Sequence, residues 1–473
     1  MKNWSALSIP GAIAVLILSA VSVCGQAVNF AQIHGRIVDS GGAAISGAEI
    51  KATQTSTGLV RTVKSDSDGG YSLPSLPVGP YELEASANGF RSYVQRGIVL
   101  QVGEDPEINV TLPVGAVSEK VEVSADAQMV ETRETSVSTV IDQRRIVDLP
   151  LDGRQATQLV LLSGASANPT LTNNDLISTK NYANGSGSSS VAISVAGGQE
   201  TSTNYVLDGG DNNDAFSNVN LPFPFPDAIQ EFSVQTSTLT ARYGLHSGAV
   251  VNVVTKSGGN GFHGDAFEFL RNGAVNAKHF FTPPGKADDT LKRNQFGGTL
   301  GGPIIKDKLL FFGGYQGTRN REAPPTTTVV VPTAAALAGN FSGLESAACQ
   351  SSGAARTIKD PLTKKPFPND LVNPSRFNPQ ALALLKFVPV SSDPCGKLLF
   401  GIPTTGDEDQ IIGRVDWIQS QKQTIFGRYF YSNFSDPAIF DGKDILTSIK
   451  AGQLSRDQSL AIGDTYTINS RLV

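Results

Sequence analysis

The chain has 473 residues, which is enough for about three domains of ordinary size. Only 17% of the residues are charged and the formal net charge is −5, so no basic excess indicates a nucleic-acid partner. The sequence contains 48 Gly but only 3 Cys and 2 Met, and helical periodicity is nearly absent. High glycine with modest hydrophobicity favours turn-rich β structure over a helical bundle. We therefore expect a mainly β protein.

Residues 1–27 have the pattern of an export signal. Lys2 gives a minimal positive region, and the apolar run from Ala12 to Val23 is too short to span a bilayer as a mature helix. Cleavage among the small residues that follow is the favoured interpretation. Lipidation at Cys24 is an alternative, although Val23 is large for the position before a lipidated cysteine. No stretch after residue 30 is a candidate transmembrane helix, so a membrane-embedded mature protein would be a barrel.

Residues 31–113 are predicted to form a small β-sandwich. Short alternating runs are separated by Gly, Pro, Asp and Ser turns; the runs are IHGRIVDS, AEIKATQT, LVRTVKS, YELEASA, GIVLQV and EINVTL. Together with SDSDGGYSLPSLPVGPYELEASANGF they resemble the carboxypeptidase regulatory-like domain, a sandwich of transthyretin-like or Ig-like type. The name implies no catalysis. The chain's four histidines form no metal-ligand spacing.

Residues 127–258 have a mixed α/β pattern. Strand-like runs and one possible short helix alternate with turns; the runs are SVSTVID, RRIVDLPLDGRQATQLVLL for the helix, AISVAGG, NYVLDGG, EFSVQTS and GAVVNVVTKS. This region resembles the plug domain of TonB-dependent outer-membrane receptors. The resemblance is carried by YVLDGGDNND, PDAIQEFSVQTSTLTARYG and SGAVVNVVTKSGGNGFHG. It implies a domain that sits inside a barrel.

The connection at 114–126 contains a segment of alternating charged and apolar residues with high β-propensity. Its residues are Glu119, Lys120, Val121, Glu122, Val123, Ser124 and Ala125. The segment resembles a TonB box in sequence and in its place before the plug. That resemblance implies edge-to-edge pairing with TonB. The alternatives are an ordinary linker or a last strand of the sandwich.

Residues 262–473 are predicted to be the first part of an antiparallel transmembrane β-barrel. Six candidate strands alternate in polarity, at 262–271, 292–302, 308–319, 409–417, 422–433 and 455–467. Their connections alternate between long and short, as expected for outer loops and periplasmic turns. In IIGRVDW, for example, Ile411, Val415 and Trp417 share one face of the predicted strand. A plugged barrel needs about 22 strands. We therefore expect this barrel to be incomplete and the chain to be part of a longer protein.

The run NQFGGTLGGPIIKDKLLFFGGYQGTR resembles the early barrel of the Oar-like branch of TonB-dependent proteins. The resemblance implies residence in the outer-membrane lipid, energy from the TonB complex of the inner membrane, and transport of a ligand that the sequence does not identify. A non-transporting surface or adhesion protein built on the same scaffold is the alternative. The outer loop at 320–408, rich in Pro, Ser and Ala, would suit that role.

The alternating pattern predicts which side chains of the barrel face the lumen and which face lipid. Arg414, Asp416 and Arg428 should face the lumen, either as a wetted wall of paired charges or in contact with a solute. Phe267, Phe269, Phe311 and Tyr315 should face lipid or form part of the aromatic girdle. Cys349 and Cys395 both lie in the long outer loop, and an oxidising compartment favours a disulfide between them. Two separate thiols are the alternative.

Two motifs have competing interpretations. The run GNGFHG at 259–264 satisfies the spacing of a dinucleotide-binding loop, but that loop requires a helix next, and GDAFEFLRN alternates like a strand. DGGDNND at 208–214 is oxygen-rich but lacks the EF-hand positions, so a tight turn is favoured over a calcium site. No nucleophile, base and orienting group can be assembled. We therefore predict no catalytic residues, no cofactor and no metal.

Overall fold

The computed structural model describes 30–116, 120–124, 137–167, 193–199, 201–215, 218–237, 239, 248–277, 290–322, 327–400, 405–438, 442, 444–446 and 452–469. The predicted export signal at 1–27 lies outside these residues. Among the residues described, no helix combines the length and apolar character needed to cross a membrane.

The first domain is a two-sheet sandwich. Its strands are β1 (Phe30–Asp39), β2 (Glu49–Gln54), β3 (Val60–Lys64), β4 (Gly70–Pro77), β5 (Gly79–Ser86), β6 (Ser92–Leu100), β7 (Val110–Leu112) and β8 (Lys120–Ser124). One sheet has the order β4-β1-β7 and the other β3-β2-β5-β6-β8. Alternate residues such as Ile50 and Leu83 point between the sheets and are fully buried. Each such side chain stabilises the fold by about 1.5–3 kcal/mol. The sandwich prediction is confirmed.

The central domain is a mixed sheet with short helices. Its elements are β9 (Val137–Asp142), α1 (Gln143–Asp148), two 3₁₀ helices (Asp152–Arg154 and Ala156–Ser163), β10 (Ser166–Ala167), β11 (Ser194–Val195), β12 (Asn204–Leu207), β13 (Gly210–Asp211), a 3₁₀ helix (Pro226–Ala228), β14 (Ile229–Ser237) and β15 (Val250–Thr255). The main sheet has the order β13-β12-β15-β14-β9. The predicted single helix ends early, because Pro150 disfavours helical geometry at the residue before it.

Six long strands form the barrel wall. They are β16 (His263–Asn272), β17 (Lys292–Ile305), β18 (Leu309–Arg321), β21 (Asp407–Ile418), β22 (Gln423–Asp436) and β23 (Gln453–Tyr466). The connection between β18 and β21 contains two further short strands, β19 (Thr327–Val330) and β20 (Lys397–Phe400). Each wall strand pairs with the next along the chain, in the order β16-β17-β18-β21-β22-β23. The sheet is open within the described residues, because β16 and β23 do not pair. All six predicted strands are present.

The faces of the wall follow the predicted alternation. On β21, Ile411, Val415 and Trp417 are exposed on the outer side, whereas Gln410 and Ile412 are buried on the inner side. A strand with one apolar outer face and one packed inner face leaves this period of two in its sequence. The wall therefore presents an apolar surface outward, as a lipid-facing barrel requires.

The long connection between β18 and β21 is a structured insert. Strands β19 and β20 pair antiparallel at its base. It carries the short helices α2 (Ala334–Leu337) and α3 (Pro379–Leu385). Cys349 and Cys395 are joined in a disulfide across the insert.

We expect residues 31–113 to fold alone. The apolar cluster of the sandwich draws all its members from residues 31 to 112, so the core is complete without the other domains. Cooperative thermal unfolding with a β-type circular dichroism spectrum is the expected result. Leu83→Ala should lower the free energy of unfolding by about 2–5 kcal/mol, and Thr62→Ala, at an exposed position, is the control. A disordered spectrum for the isolated region would contradict this prediction.

The disulfide can be tested by thiol counting. Denatured, unreduced mature protein should contain no reactive cysteine in the insert, and reduction should release two. Cys349→Ser should expose one thiol, that of Cys395. The bridge closes 46 residues of sequence, so its loss should destabilise the insert by about 3–4 kcal/mol. Two thiols reactive before reduction would rule the bridge out.

A buried charge cluster joins the central domain to the barrel wall

The central domain reaches the barrel wall through the turn that connects β12 to β13. Asp208 and Gly209 occupy this two-residue turn with φ of 49° and 82°. Positive φ at both central positions is the type I′ hairpin geometry, for which Asp-Gly is among the preferred sequences. The predicted tight turn is therefore confirmed, and it presents the Asp208 side chain at the tip of the hairpin.

The carboxylate of Asp208 is fully buried and has four donors. Arg414 Nη1 donates to Oδ1 over 3.1 Å, and Arg428 Nε donates to Oδ2 over 3.0 Å. The backbone N–H and the hydroxyl of Thr255 each donate over 2.9 Å. Asp208 and Thr255 belong to the central domain, whereas both arginines lie on the barrel wall. We call Asp208, Thr255, Arg414 and Arg428 the Asp208 latch.

Each arginine of the latch has further partners on the wall. Arg414 also donates to Asp416, with distances of 2.9–3.2 Å, and lies 4.9 Å from the centre of the Phe426 ring. Arg428 donates to the Ser459 hydroxyl over 2.8 Å, and its side chain is 1% exposed. These partners hold both guanidinium groups in place on the wall, ready for the carboxylate.

The contribution of this cluster to stability depends on every charge in it being paired. Burying a charge is costly, and the attraction between buried partners mainly offsets that cost. Removing one partner from a buried pair, however, costs about 3–5 kcal/mol because the other charge stays buried. Moving the central domain so that Asp208 separates from the wall is therefore costly in free energy, unless water enters and solvates the separated charges.

A second polar contact surrounds Arg154 of the central domain. Arg154 pairs with Asp227 of the same domain and donates to Gln316 on β18 over 3.2 Å. Its guanidinium carbon lies 4.7 Å and 4.1 Å from the ring centres of Phe267 and Phe269 on β16. Burial raises the pKa of Asp227, and the neighbouring Arg154 opposes this shift. This contact therefore ties the central domain to β16 and β18, whereas the Asp208 latch ties it to β21 and β22.

The predicted directions of the barrel aromatics are partly wrong. Phe267 and Phe269 face inward, against Arg154 and Phe225 of the central domain, and not toward lipid. The inner face of β16 is aromatic because it packs against a domain. Phe311 and Tyr315 lie on the outer face, where they pack against Phe262 and Phe296.

An apolar patch supports the two polar contacts. Phe225 and Ala228 of the central domain pack with Phe312, Ile412 and Phe430 of the wall. The approach is close where glycine lines the wall. A Cβ added at Gly314, opposite the patch, would lie 2.8 Å from the Phe225 ring. A side chain there would therefore displace the domain from its position on the wall.

The residues predicted to face the lumen do face inward. Arg414, Asp416 and Arg428 lie on the inner side of β21 and β22. Arg414 and Arg428 bind Asp208 of the central domain, and Asp416 binds Arg414 on the wall. Contact of these residues with a solute stays a prediction. The sequence indicated Asp208 only as part of a tight turn, and its role as the partner of Arg414 and Arg428 was missed.

The TonB-box-like segment is partly described. Lys120–Ser124 forms β8 and pairs parallel with β6 at the edge of the sandwich, whereas Glu119 and Ala125 lie outside the described residues. Val121 lies opposite Tyr93, and Glu122 forms an ion pair of 3.4 Å with Arg96. The segment is therefore a strand of the sandwich sheet, which was the alternative interpretation. Its role in binding a partner stays a prediction.

The competing motifs can be compared with the structure. After GNGFHG the chain continues as β16, so the helix that a dinucleotide loop requires is missing and that interpretation is wrong. In DGGDNND, both carboxylate oxygens of Asp208 accept hydrogen bonds from Thr255, Arg414 and Arg428. Within the described part of the chain, no three His, Cys, Asp or Glu side chains are grouped so as to hold a metal ion.

Two regions of the chain match known protein families. Residues 32–113 match the Carboxypeptidase regulatory-like domain. Residues 254–473 match the Outer membrane beta barrel domain. The TonB-dependent transporter Oar of Myxococcus xanthus is 29% identical over 290 residues, which are 58% of this chain and 26% of that protein.

This chain is similar to the Oar-like outer-membrane receptors over the matched regions. Its regulatory-like domain precedes a barrel domain, and it resides in the outer membrane. Such receptors are not enzymes, in agreement with the sequence. The chain spans about a quarter of the length of the Oar transporter.

Solved receptor structures resemble the chain at low identity. The siderophore receptor PirA of Acinetobacter baumannii is 16% identical with a TM-score of 0.37, covering 70% of this chain and 37% of that one. The outer-membrane transporter YddB of Escherichia coli is 11% identical with a TM-score of 0.37, covering 63% of this chain and 33% of that one.

Asp208→Asn should loosen the central domain. The neutral amide keeps the size of the side chain but leaves Arg428 buried without its counter-charge, a loss of about 3–5 kcal/mol. We expect the central domain of the full-length receptor in detergent to become protease-sensitive at a lower temperature. Asp211→Asn, exposed on the same hairpin, should change stability by no more than about 0.5 kcal/mol. Equal protease resistance of the two variants would show that the latch does not hold the domain.

Proposed function

We propose that the full-length receptor is a TonB-dependent transporter that takes up an unidentified solute across the outer membrane. The Asp208 latch carries this proposal, since it fixes the central domain, the predicted plug at 127–258, against the inner face of the wall. A domain held there by buried charges obstructs the lumen and opens only when work is done on it.

The energy must come from another compartment. The outer membrane has no ATP, and thermal separation of a buried ion pair costs several kcal/mol, so spontaneous opening is rare. The inner-membrane TonB complex, which the Oar resemblance implies, is a source of mechanical work. A pull on the chain before the central domain would reach the latch through the connection that leads to β9.

Strand β8 is the proposed attachment point for TonB. One of its edges pairs with β6, and no described residue pairs with the other edge. A free strand edge presents N–H and C=O groups that an extended partner strand can pair with. Val123 is 38% exposed, so the faces of β8 are not closed off by a core. Glu119 and Ala125 complete the proposed segment on either side.

Deletion of TonB separates transport from the surface or adhesion alternative. Cells that produce the receptor would be offered radiolabelled siderophores, cobalamin, oligosaccharides and peptides. A transporter accumulates one of these classes in the periplasm only when TonB is present. An adhesion protein binds its ligand at the surface equally well without TonB. The disulfide-linked insert, which carries exposed apolar residues such as Leu362 and Leu384, is the surface that would serve this second function.

Val121→Pro should uncouple transport. Proline at 121 removes a backbone N–H of β8 and distorts the strand, which weakens its pairing with a partner strand. Uptake should fall to the level seen without TonB, while surface exposure of the insert persists. Val121→Thr keeps the N–H and the β-branched shape, and should transport normally. Normal TonB-dependent uptake by the proline variant would show that β8 is not the coupling strand.

A further inference from the structure

The sandwich is attached to one rim of the barrel wall. Arg61 of β3 donates to the backbone carbonyl of Gln421 and, over 3.3 Å, to the hydroxyl of Thr424. Arg61 is only 3% exposed, so the wall covers it. Gln421 lies in the short turn between β21 and β22. Short turns of outer-membrane barrels face the periplasm, so this contact places the sandwich at the periplasmic mouth.

Two more contacts complete the attachment. The Ser56 carbonyl accepts from the Asn260 backbone N–H over 2.9 Å, and Asn260 in turn bonds Asp307 in the short turn between β17 and β18. On the central domain, Glu231 accepts from the Val102 backbone N–H over 2.8 Å. The sandwich is therefore bonded to the wall, to the segment that enters the barrel and to the central domain.

A cavity of about 240 Å³ lies between these three bodies. Its lining includes Leu59 and Val78 of the sandwich, Ser257 after β15, and Arg414 and Phe426 of the wall. Arg414 thus belongs both to the Asp208 latch and to the cavity wall. Opening the latch would connect the lumen to this cavity, and the sandwich forms its periplasmic boundary.

We propose that the sandwich is an exit gate, which closes the cavity behind the latch and swings away from the periplasmic rim when the transporter is energised. This inference rests on the proposed transport function. The sandwich is suited to the role because it has its own complete core and its rim contacts are few and polar. Such contacts exchange for water at little net cost, so the domain can leave without unfolding.

A cysteine at Ser257 would report on the gate, because this residue lines the cavity. In the full-length receptor in cells, Ser257→Cys should react slowly with a polyethylene glycol maleimide admitted to the periplasm. Labelling should rise severalfold in energised cells that contain TonB. It should return to the slow rate when a protonophore is added or TonB is deleted.

A pair of introduced cysteines would hold the sandwich against the wall. Gly58 lies directly beside Asp307 of the wall, since a Cβ added at Gly58 would be 3.1 Å from Asp307 Cγ, so cysteines at these two positions would be in contact. With Gly58→Cys and Asp307→Cys oxidised, energised labelling at 257 should fall to the resting rate, and dithiothreitol should restore it. Each single variant, oxidised and reduced in the same way, is the control. Undiminished energised labelling in the cross-linked receptor would overturn the gate.

Loosening the gate gives an independent measurement. Arg61→Ala removes both rim bonds of β3 and should raise labelling at 257 severalfold without energy, whereas Arg61→Lys keeps one donor and should raise it less. If the alanine variant labels at the resting rate, the sandwich does not close the cavity. If Arg61→Ala raises labelling and the cross-link reverses that rise, but TonB has no effect, the sandwich still closes the cavity and TonB-dependent transport fails.

Discussion

A buried carboxylate needs hydrogen-bond donors for its oxygens, and those of Asp208 come from both the central domain and the barrel wall. Thr255 binds it from within the central domain, and Arg414 and Arg428 bind it from the wall. With Asp416, the cluster contains two carboxylates and two guanidiniums, so charge is balanced while the central domain is in place. Without Asp208 the wall retains an excess positive charge. The position of the domain is therefore set by electrostatics as well as by packing around Phe225.

Much of the fold could be predicted from the sequence because most of its strands are buried on one side. Such strands carry a period of two, which is visible in runs such as IIGRVDW and in the burial of β21 and β23. The turn at Asp208-Gly209 was equally accessible, since positive φ at two positions selects this dipeptide. These features depend on residues close together in the chain, and local patterns contain that information.

The site depended on contacts between distant parts of the chain. Asp208 and Arg428 are 220 residues apart, and no local pattern distinguishes a carboxylate that caps a turn from one that binds two arginines. Phe267 and Phe269 were assigned to lipid because an inner face that packs against a domain can be as apolar as an outer one. The pairing of β8 with β6 was likewise open, since a short two-sided strand fits several neighbours.

The parallel pairing of β8 with β6 has a mechanical consequence. A force applied along β8 loads the hydrogen bonds of this ladder in shear, so they resist together, whereas a force across the strand would break them one after another. The same five residues therefore resist a force along the strand but separate easily under a force across it. The angle at which a partner pulls would decide whether the sandwich moves as a rigid body or releases its edge strand first.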